Sequence, residues 1–221
     1  MNSLFDAPTE VKVRDTVVAP VSNADAEQMC RDWHYSGHIG TTANLRFGLW
    51  HGVTLLGVVT YNIPARSVCE SVFGPDHWRH VWHMGRLALT DDAPRNSESR
   101  LIAGSLRQLP DRQVSPGYEP WAVVTYADTT AGHIGYVYQA TNALYTGTAT
   151  VKPHYLTPEG ERRSPYNDGG SITRTMARDW GWTVVEGGIK HRYLYLVGSP
   201  RQRRDRRAMV RLPIVLDYPK G

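Results

Sequence analysis

Asp128 has the setting that most directly suggests chemistry in this 221-residue chain. The apolar, β-branched run Trp121-Ala-Val-Val-Thr-Tyr126 ahead of it reads as a buried strand. A carboxylate at the carboxyl end of a strand, just before a helix, lies where open α/β sheets put ligands and catalysis. Asp128 is therefore expected in an active site. Beyond the break at Asp128-Thr-Thr-Ala-Gly132, Ile134, Val137, Tyr138, Thr141, Leu144 and Tyr145 fall on one helical face. That spacing predicts a helix stopped at Gly147, with Tyr138 on its core side and His133 and Tyr136 adding polar groups nearby.

Three further constellations carry chemistry. Arg86 lies inside the apolar run Met84-Gly-Arg-Leu-Ala-Leu89, and a buried arginine needs a partner. It either pairs with a carboxylate such as Asp128 or binds an anionic substrate group. Arg95, Ser97, Ser99 and Arg100 surround a helix opening at Asn96 or Ser97, where free N–H groups and the helix dipole favour an anion. A phosphate or pyrophosphate fits there; the plainer alternative is an ordinary cap with solvated arginines. His34-Tyr35 lies in a polar aromatic loop. It offers a base, a metal ligand or a stacking platform, or else only a hydrogen-bonded loop anchor. His77, His80 and His83 show His-x-x-His spacing without a helical pattern or the glutamate a zinc protease needs. With His38 and His51, they read as structural histidines.

The elements that position these residues follow from the pattern. Residues 1–20 alternate weakly through Val11, Val13, Val17 and Val18 and give a first strand after a loose terminus, and Ser22 or Asn23 opens a helix through Cys30–Trp33. Leu45–Trp50 and Thr54–Tyr61 form a hairpin across His51-Gly-Val53. Residues 66–80, with Gly74-Pro75, read as an insertion loop. Trp82–Leu89 is a strand, and the next helix buries Leu101, Ile102, Ser105, Leu106 and Leu109 before Pro110 stops it. Residues 148–170 read as loop, Ser171–Trp180 as a short helix, and Trp182–Glu186 with Ile189–Val197 as a closing pair of strands. The expected fold is a single α/β domain over residues 1–221, with a mixed, mostly antiparallel central sheet flanked by helices.

Composition narrows the function. A hydrophobic fraction of 41% with seven Trp and twelve Tyr belongs to a globular chain. No apolar run reaches membrane-spanning length, and MNSLFDAPTE lacks a leader pattern, so a cytoplasmic protein without a membrane partner is expected. Cys30 and Cys69, far apart, read as free thiols. Between residues 190 and 211, Lys190, Arg192, Arg201, Arg203, Arg204, Arg206, Arg207 and Arg211 face one acid, Asp205. That segment carries net +7 in a chain of net +4, which leaves −3 elsewhere. A basic segment so concentrated points to nucleic-acid phosphates, against the alternative of a solvated basic tail.

The strand GRLAL, the arginine-bearing loop, the helix, and the following strand and helix ending in LYTG resemble GCN5-related N-acetyltransferases. The glycine-rich coenzyme A signature of those folds is replaced here by Arg95-Asn-Ser-Glu-Ser-Arg100. The chain is more similar to the Mom-like branch of bacteriophage DNA-modification proteins. The blocks that carry this are His34-Tyr35-Ser36, Phe47-Gly-Leu-Trp50, Gly85-Arg-Leu87, Asn96-Ser-Glu-Ser-Arg-Leu-Ile102, Tyr126-Ala-Asp128, and Gly132-His133 through Tyr138-Gln-Ala-Thr-Asn142. The resemblance implies an enzyme that converts adenine in phage DNA to an N6-carbamoylmethyl derivative, protecting the genome from host restriction. It implies an iron centre with His34, Tyr35 and Asp128 as ligands, Tyr138 as a further site residue and Arg86 as an essential polar partner. The donor is then acyl-coenzyme A or another activated glycyl or acyl group, held by Arg95, Asn96, Ser97, Ser99 and Arg100. The substrate is a flipped adenine of double-stranded DNA, stacked on Trp33, Tyr35, Trp50 or Tyr136. Asp128 either holds the metal or acts on N6, and Lys190–Arg211 grips the DNA backbone. A conventional acyl-coenzyme A-dependent acyltransferase for a small amine, RNA or protein is the alternative. An adenine methyltransferase is disfavoured, because Asn62-Ile-Pro-Ala65 lacks the second proline and the aromatic of the expected motif.

Overall fold

The structure, a computed structural model, describes residues 11–39, 43–112, 116–167 and 170–220. The N-terminal decapeptide that lacks a leader pattern lies outside the described residues. Strand β1 (Val17–Pro20) leads into helix α1 (Asn23–Trp33), whose N-cap Ser22 accepts from the Asp25 N–H. The hairpin β2 (Leu45–His51) and β3 (Thr54–Asn62) forms as expected. Helix α2 (Arg66–Phe73), β4 (Val81–Leu89), α3 (Ser97–Gln108), β5 (Ala122–Asp128) and α4 (Tyr136–Ala140) follow. Then come β6 (Leu144–Thr150), β7 (His154–Leu156), β8 (Arg162–Arg163), β9 (Tyr166–Asn167), β10 (Gly170–Ser171), α5 (Arg174–Asp179), β11 (Thr183–Val185), β12 (Ile189–Leu196) and α6 (Pro200–Met209).

The main sheet has the order β1-β2-β3-β4-β5-β12-β6, and every neighbouring pair is antiparallel except β4 and β5. This is the expected mixed, mostly antiparallel sheet flanked by helices. Strand alternation divides its core. On one face Phe47, Tyr61, Trp82, Met84 and Val123 pack with Leu101 and Ile102 of α3. On the other, Val81, Val124 and Leu194 pack with Cys69, Val72 and Phe73 of α2, while Val58 and Ala88 meet Ala26, Met29 and Cys30 of α1.

Three expectations need correction. Residues 66–80 are not a loop: Val68, Cys69, Val72 and Phe73 give α2 a short apolar face, closed by Gly74 at φ 85° and followed by a 3-10 turn at Trp78–His80. The helix expected to reach Gly147 stops at Ala140. Asn142 takes a left-handed φ of 61°, and the β-branched run Leu144-Tyr-Thr-Gly-Thr-Ala-Thr150 becomes β6. Trp182–Glu186 does not pair with β12. Its β11 joins β7 and β8 in a separate small sheet, where Tyr155 of β7 packs against Ile172 and Ala177, so residues 148–170 carry strands as well as loop.

Helix α3 approaches β1 so closely that a β-carbon on Gly104 would lie 2.6 Å from a Val18 methyl. Gly104→Val should therefore force the two apart and destabilise the chain by about 1–3 kcal/mol. Thermal denaturation checks this: a melting temperature equal to that of the unsubstituted protein would contradict the packing.

Candidate active site

Strands β4 and β5 are hydrogen-bonded only over Val81–His83 and Ala122–Val124. Beyond that short ladder β4 leaves β5, helped by an irregularity in its pairing with β3 that makes Gly85 an extra residue between Met84 and Arg86. The separation opens a cleft of about 830 Å³ lined by His34, Tyr35, Arg86, Asp128 and Tyr138, the five residues expected to do chemistry. One sheet face explains its polarity. The buried row Val81, Val124 and Leu194 continues, by the two-residue strand period, into His83, Tyr126, Asp128, Lys190 and Arg192.

Asp128 does not meet Arg86. It stands directly opposite Lys190 in the β5–β12 ladder, and Lys190 Nζ lies 2.9 Å from its Oδ2. Its Oδ1 accepts from the Thr130 amide at 3.0 Å and the Thr130 hydroxyl at 2.6 Å. Burial raises the Asp128 pKa, but the Thr130 and Lys190 bonds outweigh it and hold the carboxyl below its ordinary value. Both oxygens are engaged and the group is a fixed anion, which makes it a poor proton acceptor.

Arg86 instead ties the loop after α1 to the sheet. Its Nε donates to the His38 carbonyl at 2.9 Å and an Nη to the Gly85 carbonyl at 2.8 Å. This loop carries His34 and Tyr35 over the cleft. Tyr35 is 70% exposed, and its ring lies between His34, at 4.4 Å between centroids, and His133, at 6.2 Å. The Ser36 amide donates to His34 Nδ1 at 3.1 Å, so the neutral ring carries its proton on Nε2. Burial, then the charges of Arg86, His38 and His133, lower the His34 pKa from 6.5 to about 4.

His83, read from sequence as structural, also lines the cleft. Its Nδ1 is 3.1 Å from Asn62 Oδ1, and the Asn62 amide nitrogen donates to the Ile63 carbonyl at 3.3 Å. That second bond fixes which end of the amide faces the ring, so His83 Nδ1 carries the proton. Burial first, then Arg86 and Lys190, lower the His83 pKa to about 4. Tyr138 belongs to both core and site. Its ring packs 5.4 Å from Tyr193, its hydroxyl bonds Thr125, and burial raises its pKa despite that bond.

The arginine–serine turn divides. Arg95, Asn96 and Ser99 line a second cleft of about 580 Å³, which shares Glu98, Tyr136 and Val137 with the first. Ser97 turns inward, buried, and Arg100 donates to the Thr16 carbonyl at 3.1 Å, so neither lines that cleft. Asn96 has a left-handed φ of 71° and makes no side-chain cap bond. The basic segment divides as well. Lys190 and Arg192 lie in the cleft, whereas α6 follows the end of β12 at Leu196, opposite Ala122 at the far end of β5. Arg201, Arg203, Arg204 and Arg207 are exposed there; Arg206 bonds the Val197 carbonyl and covers Trp121. His80 stacks on Trp121 at 3.7 Å and His77 lies 5.4 Å from it, so those two are structural. Of the four aromatics proposed for stacking, Tyr35 and Tyr136 line the cleft; Trp50 packs against the α1 cluster.

The expected iron ligands do not form a ready site. Among the described residues, no three His, Cys, Asp or Glu side chains cluster as metal ligands. Asp128 and His34 Nδ1 already hold hydrogen bonds to Lys190, Thr130 and Ser36, so the residues as arranged are not preformed for iron.

A mixed sheet with helices on both faces, opened into a cleft where its parallel pair separates, defines the chain as a mixed α/β protein. A putative acetyltransferase from Acinetobacter baylyi ADP1 aligns over 84% of this chain and 94% of its own, with a TM-score of 0.47 and 11% identity. An N-acetyltransferase from Staphylococcus aureus Mu50 aligns over 82% and 97%, with a TM-score of 0.46 and 11% identity. Within that class the chain belongs to the Mom protein family, whose model matches residues 15–220. The methylcarbamoylase Mom of Escherichia phage Mu is 30% identical over 192 residues, 85% of this chain and 76% of that relative.

The two depressed histidines fix a pH dependence. Folding holds His34 and His83 neutral, with pKa values of about 4 against 6.5 ordinarily, so between those values the unfolded chain binds more protons. Stability should be full above about pH 6.5 and fall as the pH drops toward 4. Urea denaturation should show this slope, and His34→Gln should flatten it. An identical slope in that variant would remove His34 as a cause.

Proposed function

We propose that the chain is a phage DNA-modification enzyme that converts adenine in double-stranded DNA to an N6-carbamoylmethyl (glycinamide-type) derivative. It thereby protects the DNA from restriction in the host cytoplasm. The observation that carries this reading is the convergence of His34, Tyr35, Arg86, Asp128 and Tyr138 on one cleft of about 830 Å³. Membership in the Mom family, with a relative named a methylcarbamoylase, supports the same transfer chemistry. A cleft of this size suits a flipped base, which N6 chemistry requires because the amine is inaccessible in the stacked duplex. Tyr35 and Tyr136, 70% and 67% exposed, supply stacking faces at its mouth. Asp128, kept ionised by Lys190 and Thr130, accepts a hydrogen bond and orients the base. Arg95, Asn96 and Ser99 in the adjoining cleft suit the phosphates of an acyl-coenzyme A-like donor. The shared wall of Glu98, Tyr136 and Val137 lets the donor's reactive end reach the first cleft.

The second cleft equally suits a conventional acyl-coenzyme A-dependent transferase for a small amine, RNA or protein, and one experiment separates the two. Mass spectrometry of nucleosides from cells expressing the chain should reveal a new adenosine adduct, absent when Asp128→Ala is expressed at equal level. Unmodified DNA beside an acylated small molecule would favour the second reading. An adduct at full level in Asp128→Ala would remove that residue from the mechanism.

Helix α6 lies about 20 Å along the strands from Asp128, roughly six base-pair steps, a span one duplex covers. Reversing the exposed Arg203, Arg204 and Arg207 to Glu should weaken duplex binding and lower its salt slope by about one for each phosphate no longer neutralised. Unchanged binding from low to high salt would leave α6 as a solvated helix.

A further inference from the structure

We propose that His83 is the proton acceptor for the attacking amine in the cleft, with Asn62 and the Gly85 bulge holding its Nε2 lone pair available. This rests on the functional reading above and adds the residue that receives the proton. Asp128, His34 and Tyr138, which line the same cleft, are less suited to the task. Asp128 has both oxygens bonded to Thr130 and Lys190. His34 Nδ1 accepts from the Ser36 amide, so its Nε2 can only donate while the ring is neutral. The Tyr138 phenol is held protonated by burial, and Glu98 lies exposed on the wall shared with the second cleft. His83 has the opposite tautomer to His34: Nδ1–H faces Asn62 Oδ1 at 3.1 Å, which leaves the lone pair on Nε2.

The support for that tautomer is built into the strands. Asn62 and His83 are directly paired in the β3–β4 ladder. A β-carbon on Gly85 would lie 2.9 Å from Asn62 Oδ1, so any side chain there would press on the atom that orients the imidazole. His83 is also the member of the His-x-x-His series without a place in the Trp121 stack.

The step balances. As the amine nitrogen forms its bond to the electrophilic carbon of an activated acyl or carbamoylmethyl donor, the leaving group departs with the electron pair of its own bond. The N–H proton passes to His83 Nε2 and then to water at the cleft mouth. Adenine N6 is a weakly basic amine, so its N–H becomes strongly acidic once the new bond forms. An imidazole of low basicity can therefore take the proton, and it is already neutral at pH 7. The charged and titratable groups around the ring are Arg86 on its own strand, Tyr126 and Asp128 on β5, Lys190 and Arg192 on β12, and His34 across the cleft.

The test follows adduct formation on an added adenine-containing duplex in buffered lysate of expressing cells, which supplies the donor, at about pH 5 to 8. The folded state is checked by melting at pH 8 and duplex affinity by titration of the purified protein. His83→Gln should lower the initial rate by about 10²–10⁴-fold with melting and duplex affinity retained. Asn62→Asp, which places a carboxylate on Nδ1–H, should make the rate fall at the acid end of the range, where the parent protein's rate is flat. A wild-type rate in His83→Gln, or an unchanged acid limb in Asn62→Asp, overturns the proposal while leaving the adenine-modifying reading in place. No adduct from the parent protein would overturn both.

Discussion

Strands β4 and β5 hold each other through a ladder of three residue pairs and then part, and the rest of the molecule depends on that parting. Backbone groups released from a ladder need other partners or water. Here β4 keeps its partner β3 through the Gly85 bulge, and β5 keeps β12 through to Asp128. Each strand therefore stays fully supported on its outer side while its inner side faces a cleft. Thr125, whose hydroxyl reaches the Met84 carbonyl at 3.4 Å, bridges the strands just past the last ladder pair.

The charged groups in this cleft are held by fixed bonds. Lys190 neutralises Asp128 across the β5–β12 ladder, and Arg86 is spent on backbone carbonyls of β4 and of the loop after α1. Burial beside these cations keeps both histidines neutral, one presenting N–H and the other a lone pair. The cleft therefore presents oriented donors and acceptors. Preorganised dipoles of this kind stabilise charge that develops during a transfer without reorganising at that moment.

Much of the frame was legible in the chain. The hairpin, β4, α1, α3 and β5 follow from two-residue and 3.6-residue periods and from Ser22, and the five cleft residues are marked by position or by family resemblance. Errors fell where local signals conflicted or were short. Gly74-Pro75 masked the eight-residue α2, and the apolar residues of β6 happened to continue the α4 period. The two-residue strands β8, β9 and β10 carry too little pattern to detect.

Sequence by itself determined which residues were available and on which face of a strand each would stand, because alternation is a local property of an extended backbone. Lys190 and Arg192 shared a face on that basis alone. Only the tertiary structure decided their partners. Asp128 and Lys190 are 62 positions apart in the chain, and the ladder register that sets them opposite is fixed by burial of Val124 and Leu194 further along the same strands. Likewise Arg86 serves a loop instead of a carboxylate, and His83 becomes part of the cleft instead of the Trp121 stack. A hydrogen-bond partner is a matter of distance in space, which strand register and the separation of β4 from β5 settle and chain spacing does not.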